Sequence, residues 1–75
     1  MISLLQLNSN QAAKIAAIKG GRGLLLRFNN LGIRKGAQIK KVAGYFRGGP
    51  IIIKVNGTQL ALGKGMASKI LVEVQ

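Results

Sequence analysis

The side chains in this sequence that could take part in chemistry are almost all cationic. The 75 residues include 12 lysines and arginines, one acidic residue (Glu73) and neither histidine nor cysteine, so the formal net charge is +11. General acid–base catalysis at neutral pH usually recruits histidine or a carboxylate, and metal sites are built from histidine, cysteine or several carboxylates. The composition therefore argues against a hydrolytic or metalloenzyme. We expect no enzyme activity and no catalytic, cofactor or metal site.

Two glycine-flanked cations look like nucleotide-binding motifs but do not match them. A phosphate loop has four residues between its first glycine and Gly-Lys, followed by Ser or Thr. Five residues separate Gly57 from Gly63-Lys64, and Gly65 follows the lysine. Gly21-Arg22-Gly23 begins like a dinucleotide-binding fingerprint, but Leu26 stands where the third glycine belongs. Gly63-Lys64-Gly65 is therefore interpreted as a plain turn, and neither segment as a nucleotide-binding motif.

Binding through charge is the chemistry that remains. A charge of +11 on so small a chain attracts acidic surfaces, whether nucleic acid, anionic lipid or an acidic protein face. Arg47-Gly48-Gly49 resembles one unit of an RNA-binding tract, but Pro50 behind it favours a turn, and aromatic residues for base stacking are few. The cationic candidates for a partner-facing surface are Arg22, Arg27, Arg34, Lys35, Lys40, Lys41 and Arg47.

Three apolar residues lie on the opposite face from the apolar neighbours of their own element. Leu26 is off the apolar stripe of its helix, and Ile52 and Leu71 have the wrong parity in their strands. Isolated exposed leucines need no explanation. A cluster of two or more would form a docking patch for a protein partner or for a second copy of the chain.

These candidates are positioned by one predicted helix. Leu24, Leu25, Phe28 and Leu31 recur at helical spacing and predict a helix over residues 22–31 whose stripe faces a core. Gly32 follows directly, where a helix often needs a residue at positive φ to close its last turn.

The rest of the pattern predicts short strands and tight turns. A parity change at Lys40-Lys41 indicates a β-bulge, Asn56-Gly57 is a strong hairpin signal, and Asn10 suits a left-handed turn. The strands are expected at 14–18, from 37 onward, at 51–55, at 58–62 and at 70–74, with turns at 47–50 and 63–65 and one helical turn at 66–68. The predicted fold is mainly β, a small five-stranded SH3-like barrel with one helix between its first two strands.

Length and composition set the remaining expectations. A chain of 75 residues with 48% hydrophobic residues is expected to form a single domain, 1–75, with a core of its own. No apolar run approaches the roughly 20 residues of a membrane-spanning helix. The first residues lack the basic leader and apolar stretch of a secretory signal, so cytoplasmic residence is expected.

The ordered set of motifs resembles the FeoA family (ferrous iron transport protein A) over nearly the whole chain. The family usually has proline where Lys35 stands and tends to have glycine where Asn10 stands. The matching pieces are Arg27-Phe28-x-x-Leu31-Gly32-Ile33-x-x-Gly36, Gly49-Pro50-Ile51-x-Ile53-x-Val55-x-Gly57, Leu60-Ala61-Leu62 and Ala67-x-x-Ile70-x-Val72.

The resemblance implies an SH3-like barrel that serves bacterial ferrous iron uptake as a small cytoplasmic accessory of FeoB, the GTPase-coupled transporter. Docking would use the cytoplasmic GTPase region or a membrane-proximal surface of FeoB. No metal site is carried over from the family, because this chain has no histidine or cysteine. Two alternatives stay open: a basic barrel that binds nucleic acid, and a structural module that self-associates as a homodimer.

Overall fold

The computed structural model describes residues 1–44 and 49–75. Within these residues the chain forms six strands, two short α-helices and an N-terminal 3-10 turn. The elements are β1 (Ile2–Ser3), the 3-10 turn (Leu4–Gln6), β2 (Ala12–Ile18), α1 (Arg22–Asn30), β3 (Gln38–Ala43), β4 (Ile51–Val55), β5 (Thr58–Leu62), α2 (Lys64–Ala67) and β6 (Ile70–Val74). The mainly β prediction is confirmed, and α1 lies close to the predicted range.

The strands form one antiparallel sheet in the order β1-β6-β2-β3-β4-β5. This corrects the predicted five-stranded barrel in two respects. A sixth strand, β1, pairs through Ile2 with Val72 and through Ser3 with Leu71, and among the described residues β1 and β5 remain the edges of an open sheet. Two residues are too few to show a hydrophobic period, and strand periodicity does not encode closure, so neither feature could be predicted.

Helix α1 ends in a glycine-dependent cap. The Ile33 N–H donates to the Phe28 carbonyl at 2.9 Å and the Gly32 N–H to the Asn29 carbonyl at 3.0 Å. These two bonds form a Schellman motif, and Phe28 and Ile33, at the two positions where that motif usually carries a hydrophobic contact, are both buried in the core. Gly32 has φ +86°, so the predicted positive-φ stop is confirmed.

Gly32→Ala is expected to lower the free energy of unfolding by about 1–2 kcal/mol, the cost of placing an L-residue in left-handed backbone. A Cβ there would also lie 3.1 Å from the Asn56 side-chain nitrogen. Gly23→Ala in α1 is the matched control: its added Cβ meets nothing within 4 Å, so it should raise stability by up to roughly 1 kcal/mol. Urea denaturation followed by circular dichroism measures both. Equal effects of the two variants would contradict the cap.

The core is formed mainly by side chains of β2 to β6, together with residues of the N-terminal segment, α1 and α2. Its largest fully buried side chains are Phe28, Leu4, Ile15, Ile33, Ile53 and Ile70. Helix α1 contributes less to it than its spacing predicts. Phe28 is fully buried and Leu24 packs against the core, but Leu25 and Leu31, predicted to face inward, are 39% and 41% exposed. The short helix therefore meets the core through a narrow stripe at i and i+4, and a second face stays open.

Bulges reset the side-chain parity of two strands. The register of β3 against β4 shifts between Lys41 and Ala43, close to the predicted bulge. A second shift, between Ile15 and Ala17 in β2, escaped prediction because alanines show no inward or outward preference in a sequence. The predicted hairpin turn is confirmed, with Asn56 at φ +52° and Gly57 at φ +79°.

The remaining local predictions give mixed results. Asn10 lies at φ +68°, as predicted for a left-handed turn. The helical turn is α2, which begins two residues before the predicted 66–68. Of the predicted turn at 47–50, residues 47 and 48 lie outside the described residues. Among the described residues, no helix combines the length and apolar character needed to cross a membrane.

Candidate functional site

An apolar groove of about 590 Å³ runs between α1, the end of β2 and the segment after the α1 cap. We call it the α1 groove. It is lined by Ala16, Ala17, Ile18, Arg22, Leu25, Leu26, Asn29, Ile33, Arg34 and Lys35.

The floor of the α1 groove is a product of the β2 bulge. The shift between Ile15 and Ala17 leaves Ala16 and Ala17 half-buried in succession, instead of one facing in and one facing out. Two methyl side chains leave a depression where larger residues would fill the space. Ile33, fully buried just after the helix cap, completes the apolar floor.

One wall is the open face of α1. The four helical residues that line the groove, Arg22, Leu25, Leu26 and Asn29, follow the spacing i, i+3, i+4, i+7 and so share one side of the helix. This face is distinct from the Leu24 and Phe28 stripe that packs on the core. Leu26 is 61% exposed, more than any other leucine among the described residues. The helix therefore offers solvent a pair of adjacent leucines.

The rim of the α1 groove is cationic. Arg22 stands at the start of α1, and Arg34 and Lys35 occupy the corner after the cap; all three are exposed. The single acidic side chain of the protein, Glu73, lies on β6 directly opposite Lys14 of β2. An apolar floor with positive charges at its edge suits an amphipathic partner that carries acidic residues beside apolar ones.

The structure brings together four of the ten residues predicted to contact a partner: Arg22, Leu26, Arg34 and Lys35 all line the α1 groove. Leu71 is close to it, since it pairs with the groove residue Ala17 across β6 and β2, and it is half-buried.

The other five predicted contact residues lie away from the α1 groove or outside the described residues. Arg27 is exposed on α1 without lining the groove, and Lys40 is exposed on β3. Ile52 is half-buried on β4, opposite Ala61. Lys41 is buried, and Arg47 lies outside the described residues.

Lys41 faces a second, polar cavity of about 420 Å³, which also borders on Leu5, Leu7, Gly44 and Lys64. Its ammonium donates to the Leu7 carbonyl at 2.7 Å and to the Leu5 carbonyl at 3.5 Å. The side chain is only 9% exposed. Its ammonium therefore binds the backbone of the N-terminal segment and is not part of the exposed cationic surface. In the part of the chain that the structure describes, no three histidine, cysteine or carboxylate side chains come together as metal ligands.

Six of the ten residues that line the α1 groove are not among the predicted contact residues. Helical spacing predicts Leu25 in the core, and the sequence predicts no contact role for Ala16, Ala17, Ile18, Asn29 and Ile33. A usable signal was present in α1, because Arg22, Leu25, Leu26 and Asn29 form a second amphipathic stripe beside the core-facing one. The strand residues carried no such signal.

Comparison with known proteins agrees with the predicted resemblance. A family model described as the FeoA domain matches residues 2–74. A Methanocaldococcus jannaschii protein assigned by name as an Fe(2+) transport protein A is 36% identical over 59 residues, which are 79% of this chain and 70% of the relative.

Two solved structures extend the agreement to the fold. The crystal structure of an iron uptake regulatory protein, FeoA, superposes with a TM-score of 0.92 at 28% identity and covers 99% of this chain and 97% of its own. The solution structure of a FeoA-like protein from Clostridium acetobutylicum superposes with a TM-score of 0.83 at 29% identity. This match covers 97% of this chain and 85% of that protein. On the strength of the family model, which spans nearly all of its length, this chain belongs to the FeoA domain family.

Proposed function

We propose that this chain is a non-enzymatic, cytoplasmic accessory of ferrous iron uptake that docks through the α1 groove on the cytoplasmic part of the transporter FeoB. The names of its relatives support the process, since they refer to Fe(2+) transport and iron uptake. The observation that carries the docking step is the α1 groove itself, where two exposed leucines border an alanine floor under a cationic rim.

The two parts of the groove would act at different stages of docking. Arg22, Arg34 and Lys35 provide long-range attraction to an acidic surface, which raises the association rate and is screened by salt. Leu25 and Leu26 then provide the short-range contact, because burial of apolar side chains in a pocket at the centre of an interface dominates binding energy. Docking of this kind needs no bond-making chemistry.

Leu26→Ala is expected to weaken binding to the purified cytoplasmic region of FeoB by roughly tenfold, as for truncation of an apolar anchor residue. Titration calorimetry at low salt measures it. Leu31→Ala is the matched control, because Leu31 is an exposed leucine next to the same helix that does not line the groove. It should bind like the unaltered protein. Absence of any association at low salt would refute docking on FeoB, and equal losses from the two variants would refute the α1 groove as its site.

A further inference from the structure

The exposed face of the sheet carries two lysines at directly opposite positions, an arrangement that lowers the stability of the sheet. Lys40 of β3 and Lys54 of β4 are directly opposite in the antiparallel register. Both are exposed, and each lies between two buried neighbours on its strand, so both side chains leave from the same, outer face. Like charges directly opposite in a sheet repel and destabilise the strand pair.

Neighbouring positions on this face do not neutralise the pair. Ala12 of β2 lies opposite Lys40, and Gln59 of β5 lies opposite Lys54. A third exposed lysine, Lys14, sits on β2 two residues from Ala12 and faces Glu73, the only acidic side chain in the protein, on its other flank. The row Ala12, Lys40, Lys54 and Gln59 thus crosses four adjacent strands and holds two positive charges without an opposing carboxylate.

We propose that this outer sheet face, which we call the lysine face, binds the surface of an anionic lipid membrane. Lysine clusters near a membrane are attracted by the negative potential of acidic head groups, and each lysine contributes separately without demanding a fixed geometry. The lysine face suits binding of this kind because its charges are lysine ammonium groups on flexible side chains. Half-buried Ile52, two residues before Lys54 on the same strand face, adds an apolar side chain beside these charges.

The same observations favour lipid over base-specific recognition of nucleic acid. Recognition of bases draws on aromatic stacking or on the planar arginine fork, whereas the strand positions that make up this face hold lysine, glutamine, alanine and isoleucine. The lysine face is also separate from the α1 groove: Lys40 faces the Ala12 end of β2, and the groove begins at Ala16. The proposal therefore goes beyond docking on FeoB and needs no protein partner.

Sedimentation with vesicles tests the lysine face directly. The full chain is mixed with vesicles of phosphatidylcholine alone, or of roughly three parts phosphatidylcholine to one part phosphatidylglycerol, in about 0.1 M salt, where the Debye length is about 10 Å. Binding to the anionic vesicles only, weakening as salt rises, is expected. Lys40→Gln with Lys54→Gln should weaken it roughly thirtyfold, or about fivefold for each lysine removed.

The matched control removes the same charge elsewhere. Lys19 and Lys69 are exposed and adjoin each other at the other end of β2, joined by a backbone hydrogen bond, and Lys19→Gln with Lys69→Gln should leave most of the vesicle binding. Equal losses from the two double variants would overturn the proposal, because binding would then follow net charge alone. No binding to anionic vesicles, or capture of a duplex RNA probe in preference to them, would also overturn it.

A stability measurement separates this role from a structural one. Lys54→Glu turns the repulsive pair into an attractive one, so it should raise the midpoint of thermal unfolding by a few degrees while abolishing vesicle binding. If Lys54 stabilised the fold, Lys54→Glu would lower the midpoint of thermal unfolding. A lowered midpoint would therefore contradict the proposal. None of these vesicle experiments contains FeoB. A negative result in them therefore does not bear on the proposed docking, which the calorimetric titration with FeoB tests separately.

Discussion

Phe28→Ala is expected to lower the free energy of unfolding by about 3–5 kcal/mol, the usual cost of removing a buried phenylalanine ring. Phe28 is the largest fully buried side chain of the described residues and the main core contact of α1. Small domains have total stabilities near the lower end of about 5–15 kcal/mol, so the variant should retain little more than marginal stability. Chemical denaturation followed by circular dichroism measures the difference.

The helix supplies its own control for this prediction. Leu26 lies two residues away and is 61% exposed, so Leu26→Ala should change stability by no more than about 0.5 kcal/mol even though it removes the proposed anchor of the α1 groove. Comparison of Phe28→Ala with Leu26→Ala therefore separates the effect of core packing on stability from the effect of an exposed residue on binding. If Phe28→Ala lowered the free energy of unfolding by less than about 1 kcal/mol, burial of Phe28 would not be what attaches α1 to the core.

The contrast between these two residues shows how far the helix could be predicted from the sequence. Spacing placed Phe28 inside and Leu26 outside, and both placements are confirmed. Spacing also placed Leu25 and Leu31 inside, which is wrong, because the period of a helix sets the angle between side chains but not the width of the surface that receives them. That width depends on the sheet beneath, which comes from distant parts of the chain.

The strands show the same division between local and distant causes. β4 and β5 could be placed to the residue because alternating apolar residues flank an Asn-Gly turn, and each of these signals is local. β2 could be located but its faces could not be assigned, since Ala12, Ala13, Ala16 and Ala17 look alike in a sequence. The α1 groove could therefore be only half predicted: its helical wall has a periodic signal, and its floor depends on a bulge that alanines conceal.

Lys41 is where sequence reasoning and structure differ most. The charge pattern predicts it beside Lys40 on a cationic surface, yet the strand turns the two side chains to opposite faces and Lys41 is buried. Its partners are carbonyls of the N-terminal turn, 34 and 36 residues earlier in the chain. A lysine is normally placed outside because burial of an unpaired charge is costly, and the compensating carbonyls cannot be seen in the local pattern.

Lys41→Met is expected to lower the free energy of unfolding by about 2–3 kcal/mol, because a hydrogen bond from a charged donor to a buried partner is lost and the carbonyl is left unsatisfied. Methionine keeps most of the apolar stem, so the loss reports the ammonium rather than packing. The Leu7 carbonyl, bound at 2.7 Å, should account for more of it than the Leu5 carbonyl at 3.5 Å. Denaturant titration measures the total.

Lys40→Met is the matched control, since it makes the same chemical change one residue away on the exposed face. It should not lower the free energy of unfolding, because it also removes the repulsion between Lys40 and Lys54. Hydrogen exchange gives a local readout: the Leu7 N–H, bonded to the Leu4 carbonyl at 3.2 Å, should lose protection in Lys41→Met before the strands do. Equal stability of the two variants would mean that water satisfies the Leu5 and Leu7 carbonyls. The Lys41 charge would then be available to the cationic surface after all, as its place in the sequence predicted.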